Sequence, residues 1–294
     1  MSTKLSNLLL PGLLLLASCS QGEADDPQVP ATGGDAEQTV EIVMSRAAKD
    51  DFAAAGVDRY TVYVYKVDRK TAPLYLEQEV SVDDATVSLS LPLGENFKTF
   101  AVANVASVSG KDLLETAQLH LDPSSEKEVW FGAVTSFASD KSTSTVSLAM
   151  QRLVARVNFT PAETEAELAA QSFFDRMSLT FSNTADSYMV NTGAATAASY
   201  TAEATSATGY KASFITFDTN ALAEESMLDI TFYKGAQQVN TSAGALETGV
   251  HYTANNRYTM TVPVLTNDFV ATPWTSTSPL SRGAASFEIQ VSPF

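Results

Sequence analysis

The stretch that decides the fold is Met150-Gln151-Arg152-Leu153-Val154-Ala155-Arg156-Val157-Asn158-Phe159, near the middle of the 294-residue chain. It contains no glycine or proline. Apolar side chains at the odd positions from 153 to 159 share one face, and the even positions, which include Arg152, Arg156 and Asn158, share the other. This period of two is typical of a half-buried β-strand. We place a domain boundary just ahead of the strand, near residue 148, which predicts domains over 38–148 and 149–294.

Strand patterns continue on both sides of this stretch. The clearest lies over residues 60–67, where both faces carry apolar or aromatic side chains and a central position in a sandwich is expected. Turn-forming residues separate the strand candidates at spacings of roughly 10 residues, the rhythm of sandwich folds. The pattern predicts an all-β protein of two β-sandwich domains with short helices in the connections. We expect a helix over 164–174 and an exposed Ala/Thr/Ser-rich loop over 193–208.

The N-terminus predicts export. Residues 8–17 are apolar and follow Lys4, and Leu16-Ala17-Ser18 leads to Cys19, the only cysteine. The apolar run is about half of the ~20 residues that span a bilayer, so residues 1–18 are interpreted as a removable signal. The segment resembles a bacterial lipoprotein signal, which implies that Cys19 is acylated and becomes the mature N-terminus. The alternative is an ordinary cleaved signal followed by a buried free cysteine. Residues 19–37, rich in Gly, Pro and acids, predict a flexible tether.

Charge and cysteine content exclude several classes of protein. Thirty-four acidic residues against 18 basic ones give a net charge of −16, which disfavours nucleic-acid binding and adsorption to anionic lipid. A single cysteine permits no intramolecular disulfide, so stability must come from packing.

The residue inventory offers little for catalysis. The two histidines, His120 and His251, fall in different predicted domains, and no nucleophile, phosphate-loop or metal-binding motif is present in the sequence. We therefore expect no enzyme, no catalytic residue, no metal and no cofactor. Exposed aromatic residues suggest an alternative, a surface glycan-binding lipoprotein with its site at Trp274 or on the strand with Tyr60, Tyr63 and Tyr65.

Several features together resemble the type V fimbrial proteins of Bacteroidetes, a family of fimbrillin shaft subunits, tip subunits and Mfa2-like anchor lipoproteins. The resemblance covers essentially the whole chain. It is carried by the signal ending at Cys19, a first strand (39–45) followed by Arg46, the aromatic strand 60–65, the segment 129–132, the stretch 150–157, and the terminal segments 256–262 and 270–274.

The resemblance implies two transthyretin-like β-sandwiches and assembly by strand exchange. In shaft and tip members an arginine-specific protease removes the first strand, and Arg46-Ala47 matches that position here. The groove left behind would accept a neighbour's strand, and a candidate donor is the segment with Phe287, Ile289 and Val291. The alternative for this segment is a closing strand of the second domain.

The expected function is thus a structural subunit of a type V fimbria that supports adhesion at the cell surface. Expected partners are other fimbrial subunits, the outer membrane through acylated Cys19, and a ligand on a host or bacterial surface. Anchor members keep the lipid and are not processed. The choice between shaft, tip and anchor stays open.

Overall fold

The computed structural model describes residues 36–44, 55–84, 86–242, 249–265 and 288–293. Strands dominate them, and the predicted all-β sandwich class is confirmed. The first half contains β1 (Glu37–Met44), β2 (Arg59–Lys66), β3 (Leu74–Ser81), β4 (Thr86–Pro92), β5 (Asn96–Ala103), β6 (Ser107–Ser109), β7 (Gln118–His120), β8 (Trp130–Ala138), β9 (Thr145–Leu148) and β10 (Met150–Arg152).

The second half also consists mainly of strands. It contains β11 (Val154–Pro161), the short helix α1 (Glu165–Ala169), β12 (Arg176–Met189), β13 (Ala194–Thr205), β14 (Ala212–Phe217), β15 (Leu228–Lys234), β16 (Gln237–Ser242), β17 (Asn256–Val262) and β18 (Glu288–Pro293).

The first sandwich packs a three-stranded sheet, in the order β4-β1-β9, against a five-stranded sheet, in the order β10-β8-β5-β2-β3. Its core lies between them and contains Val40 and Ile42 from one sheet and Val62, Val64 and Trp130 from the other. Alternating side chains supply this core because successive residues of a strand point to opposite faces.

The second sandwich packs the sheet β14-β11-β17-β18 against the sheet β16-β15-β12-β7-β6, with β13 paired to β12. The predicted alternation of the mid-chain stretch is observed here, since Ala155, Val157 and Phe159 all enter the core. Sheet membership changes at Leu153, because β10 pairs with β8 and β11 pairs with β14 and β17.

A third apolar cluster joins the two sandwiches. Tyr65 and Phe100, on the face of the five-stranded sheet that points away from the first core, pack with Val154, Ile215 and Phe217 of the second sandwich. The hairpin β6–β7 also crosses over, since Gln118–His120 pairs with Ser187–Met189 of β12. The domain ranges 38–148 and 149–294 stay predictions, because this hairpin belongs to the first range but to a sheet of the second sandwich.

Two local expectations were wrong. The predicted exposed loop over 193–208 is largely strand β13, which runs antiparallel to β12. The predicted helix over 164–174 ends at Ala169. A capping box between Thr164 and Glu167 begins it, but Phe174 leaves the helix to pack against Phe232, with ring centroids 5.1 Å apart. Within the described ranges, no helix is long and apolar enough to cross a bilayer.

Candidate functional site

Strand β1 lies in the middle of its sheet. It pairs antiparallel with β4, from Glu37 opposite Pro92 to Val43 opposite Thr86, and parallel with β9, from Glu41 opposite Thr145 to Met44 opposite Leu148. A backbone hydrogen bond of 2.9 Å from the Glu41 N–H to the Ser144 carbonyl continues the second contact. The first strand of the described chain therefore fills a slot whose two walls are β4 and β9.

Side chains on one face of β1 fill this slot and pack into the core of the first sandwich. Val40 and Ile42 are fully buried, and Met44 is 4% exposed. They contact a core that includes Val87, Leu89, Leu91, Val146 and Leu148 from the two walls. Burying side chains of this size stabilises a fold by about 1.5–3 kcal/mol each. Without β1, the slot would expose an apolar floor and two rows of unpaired backbone groups.

The candidate donor segment is described from residue 288 onward. It forms β18, which pairs antiparallel with β17 from Asn256 opposite Pro293 to Thr261 opposite Glu288. Ile289 is partly buried against the second core, whereas Val291 is 55% exposed. In this state the segment lies on an outer edge of the second sandwich and buries little apolar surface.

Several predicted site residues lie outside the described residues. They are Cys19, Arg46, Ala47, Phe287 and Trp274. Met44 is the last residue described before Arg46, and it is still in β1.

The aromatic strand does not form the glycan platform that the sequence suggested. Tyr60, Tyr63 and Tyr65 are each at most 4% exposed, because β2 is covered on both faces. Tyr63 stacks on Phe100, with ring centroids 4.8 Å apart. Burial, with the nearby Asp84 charge, raises the pKa of Tyr60 to about 12, and its hydroxyl donates to the Asp84 carbonyl at 2.8 Å. Trp130 is also buried.

The two histidines contact different residues. His120 Nε2 lies 2.7 Å from Ser109 Oγ, and His251 Nδ1 lies 2.9 Å from the Thr219 carbonyl. Across the part of the chain that the structure describes, no group of three or more His, Cys, Asp or Glu residues could hold a metal ion.

An ion pair that sequence reasoning missed lies where the chain passes between the sandwiches. Glu128 Oε2 accepts a hydrogen bond of 2.6 Å from Arg152 Nε, and Glu128 Oε1 lies 4.0 Å from Arg156 Nε. The Arg152 guanidinium also stacks over Trp130, 4.7 Å from the ring centroid. The arginines stood out in the sequence, but their partner is 24 residues away from Arg152 and had no local signal.

Comparison with known proteins gives a family and a fold. The sequence model of one protein family, described as fimbrillin-A associated anchor proteins Mfa1 and Mfa2, matches residues 32–285. No curated protein sequence matches the chain.

Solved structures with a similar fold include three from Bacteroides species. A protein of Bacteroides thetaiotaomicron proposed to bind polysaccharide has a TM-score of 0.53 at 13% identity, over 77% of this chain and 92% of that chain. A proposed adhesin of Bacteroides ovatus has a TM-score of 0.53 at 11% identity, over 78% and 88%. A second one has a TM-score of 0.51 at 14% identity, over 76% and 89%. At these identities the likeness is one of fold.

Proposed function

The chain belongs to the family of fimbrillin-A associated anchor proteins Mfa1 and Mfa2, and from this membership we propose a lipoprotein subunit of a type V fimbria that joins its neighbours by exchange of β-strands. A structural role in a fimbria at the cell surface follows from the family itself. The proposal adds the route of export, the mode of assembly and the residues that carry them.

The observation that carries the proposal is the central position of β1. Strand β1 is held between β4 and β9, and it forms a hairpin with neither of them. It is the first described strand, so one cut behind it separates it from every other described element. Arg46 is two residues beyond its end.

The slot left by β1 suits a strand from another subunit. Its walls would offer backbone donors and acceptors on both sides, and its floor would accept apolar side chains at every second position. Main-chain pairing of this kind gives affinity, and the alternating pockets give specificity.

The donor that we propose is the C-terminal segment of a neighbouring subunit. Phe287, Ile289 and Val291 have the same spacing as Val40, Ile42 and Met44. Few side-chain contacts hold β18 in place. Ile289 is partly buried against the second core, and Val291 is exposed. Leaving β17 would therefore cost this segment mainly backbone hydrogen bonds.

Acylation of Cys19 would attach the chain to the outer membrane. If Arg46 is cleaved, the lipid and β1 leave together and the subunit enters the filament. If it is not cleaved, β1 stays in its slot and the lipid holds the subunit as an anchor. The family description, which names anchor proteins, favours the second state.

Mass spectrometry of the N-terminus of the native protein tests the export route and the processing. An acylated Cys19 is the result expected of an anchor, and a chain that begins at Ala47 is the result expected of a processed subunit. A free, unacylated Cys19 at or near the N-terminus would contradict the lipoprotein proposal.

Strand exchange is tested on the purified full chain treated with an arginine-specific protease. For a processed subunit we expect cleavage after Arg46 followed by oligomers in size-exclusion chromatography, and no oligomers for Arg46→Lys. Ile289→Asp should block assembly without blocking cleavage, because it places a charge on the apolar floor. The matched control is Gln290→Asp on the exposed face of the same strand. Assembly that Ile289→Asp leaves unchanged would exclude this segment as the donor.

A further inference from the structure

Strand β13 is a long strand at an open edge of the second sandwich. It pairs with β12 on one side, from Met189 opposite Ala194 to Arg176 opposite Thr205. No other described strand pairs with it. It has 12 residues, whereas the edge strands β6, β9 and β10 have three or four. The longest free edge among the strands named here is therefore that of β13.

This edge lacks the usual protection against pairing with another chain. Natural proteins protect free edges with short strands, lysine, proline, bulges or inward-pointing charges. Strand β13 contains no lysine, arginine or proline. Both irregularities in its pairing insert the extra residue into β12, so β13 itself is regular. Its one charged residue, Glu203, forms an ion pair with Arg176 of β12.

The pairing shows which backbone groups of β13 face outward. The Ser182 N–H donates to the Met227 carbonyl at 3.0 Å, on the side of β12 where β15 lies. Adjacent residues of a strand direct their backbone groups to opposite edges, so Phe181 directs its groups to β13, where it faces Tyr200. Because β13 is regular, its even-numbered residues face β12 and its odd-numbered residues face outward.

Thr205 agrees with this assignment, because its backbone groups are used by the turn that follows. Its carbonyl accepts from the Tyr210 N–H at 2.7 Å, and its N–H donates to Thr208 Oγ1 at 3.1 Å. The backbone groups of the five other outward residues form no hydrogen bond with any described residue; these residues are Ala195, Ala197, Ser199, Thr201 and Glu203.

There is space beside the half of the edge that lies nearest to the rest of the molecule. Residues 200–203 border a cavity of about 700 Å³, which is also lined by residues 124–126 and 211–213. The side chains that a second strand brings to this place must be small, since the cavity has walls on both sides.

The sequence of β13 is complementary to itself in the antiparallel direction. When two β13 strands are placed antiparallel with Ser199 at a twofold axis, every other side chain larger than alanine faces an alanine. The facing pairs are Tyr200 with Ala198, Thr201 with Ala197, Thr196 with Ala202, and Glu203 with Ala195. The two glutamates do not face each other, and small side chains of one strand enter the cavity of the other.

The same register pairs all the outward backbone groups. Ser199 faces its own copy, and the other four outward residues face one another across the axis. Moving the axis to Ala197 or to Thr201 leaves outward residues of one strand opposite residues that lie outside β13 in the other. The register with Ser199 at the axis is therefore the one that the strand satisfies completely.

We propose that two copies of the chain pair through β13, antiparallel about a twofold axis at Ser199. The sheets that contain β12 and β13 in the two copies then form one continuous sheet. Such a contact is isologous, because the same surface is used by both subunits. Backbone hydrogen bonds across the axis supply the affinity, as in other cases of strand addition. The contact leaves β1 and β18 in place, so it does not depend on strand exchange.

Sedimentation equilibrium of the purified, uncleaved full chain tests the proposal over a hundredfold range of protein concentration. We expect a reversible equilibrium between monomer and dimer. Ser199→Pro should abolish the dimer, because it removes the N–H at the axis. That N–H faces away from β12, and proline is tolerated at such edge positions. The matched control is Ser199→Ala, which keeps the N–H and should dimerise like the parent.

A monomer at every concentration, or a dimer that Ser199→Pro leaves unchanged, would overturn the proposal. Because the chain stays uncleaved, this dimer is distinguished from the protease-dependent oligomers expected of the β1 slot.

Disulfide crosslinking tests the register in the full chain with Cys19→Ser. Ser199→Cys should give a covalent dimer on mild oxidation, since facing Cα atoms of a hydrogen-bonded antiparallel pair are about 5.5 Å apart, within the range that a disulfide spans. Thr201→Cys is the matched control on the same exposed face. Its two copies would be four residues out of register, about 14 Å apart along the strands. Absence of the Ser199→Cys crosslink, or equally fast crosslinking of Thr201→Cys, would overturn this register.

Discussion

Glu128 and Arg152 form an ion pair, 2.6 Å from Oε2 to Nε, at the point where the chain passes from the first sandwich to the second. Their side chains are 12% and 16% exposed. The backbone carbonyl of Glu128 also accepts a hydrogen bond of 3.1 Å from Asn104 Nδ2. The pair therefore ties the loop ahead of β8 to β10, next to the strand that opens the second sandwich.

We predict that Glu128→Gln lowers the free energy of unfolding by about 3 kcal/mol, because it leaves the Arg152 charge largely buried without its counter-ion. Urea unfolding measures the change. The matched control is Glu79→Gln, whose partner Arg59 is 71% exposed and which should have little effect on stability, because solvent screens an exposed ion pair. Similar losses for the two variants would contradict the role given to the pair at the junction.

Ile42→Ala should destabilise the full chain by about 2–5 kcal/mol, since it opens a cavity at the floor of the β1 slot. Val43→Ala, on the opposite and partly exposed face of the same strand, should cost less than about 1 kcal/mol. Thermal or urea unfolding of the uncleaved protein gives both values. An Ile42→Ala loss as small as that of Val43→Ala would mean that β1 is not packed as described.

Gly110→Ala should destabilise the protein by more than about 2 kcal/mol. Gly110 has a φ of 58°, and a Cβ there would lie 2.3 Å from the backbone oxygen of Thr116. Gly235→Ala is the control, because Gly235 has a φ of 59° but no atom within 4 Å of the added Cβ. It should cost only the left-handed strain of about 1–2 kcal/mol. Equal losses would show that the turn holding β6–β7 relaxes to admit the methyl group.

Stability should fall as the pH rises from about 10 toward 12. The pKa of Tyr60 is raised from 10.0 to about 12 in the folded protein, so in this window the unfolded chain loses a proton that the folded chain keeps. Below pH 10 the contribution is fully present. Urea unfolding between pH 8 and pH 11 measures the decline.

Tyr60→Phe should reduce the steepness of that decline, while costing about 1 kcal/mol at pH 8 for the lost hydrogen bond to Asp84. Tyr75→Phe is the control, because Tyr75 is 42% exposed. A decline as steep in Tyr60→Phe as in the parent would assign the pH dependence to other groups.

Local periodicity was sufficient to predict the strands whose two faces differ in hydrophobicity. Val40, Ile42 and Met44 alternate with Glu41 and the partly exposed Val43. Ala155, Val157 and Phe159 alternate with Arg156 and Asn158, so both strands and their buried faces were predictable. The all-β class followed from many such segments.

Strand β13 could not be recognised in this way. It contributes Ala204 as its buried side chain, and its other residues are mostly small and at least partly exposed, so no face is marked by hydrophobicity. It is a strand because β12 pairs with it along nearly its whole length. Strands β6 and β7 were missed for a related reason: each has three residues, and β7 pairs with residues 187–189, far along the chain.

The proposed site also combines features that local sequence predicts with features that it does not. The position of Arg46 after β1 is readable from the sequence, but the two-sided enclosure of β1 by β4 and β9 requires pairing over long separations. The ion pair of Glu128 and Arg152 joins residues 24 positions apart, so no local motif predicts it.

The enclosure of β1 also bears on how the molecule would respond to tension. A pull on the chain ahead of Glu37 acts along the axis of β1, while its hydrogen bonds to β4 run across that axis. The bonds on both sides would then be loaded together in shear, and none could open first as in the unzipping of a hairpin. A strand held in this way resists extraction by force, because its backbone hydrogen bonds must break together.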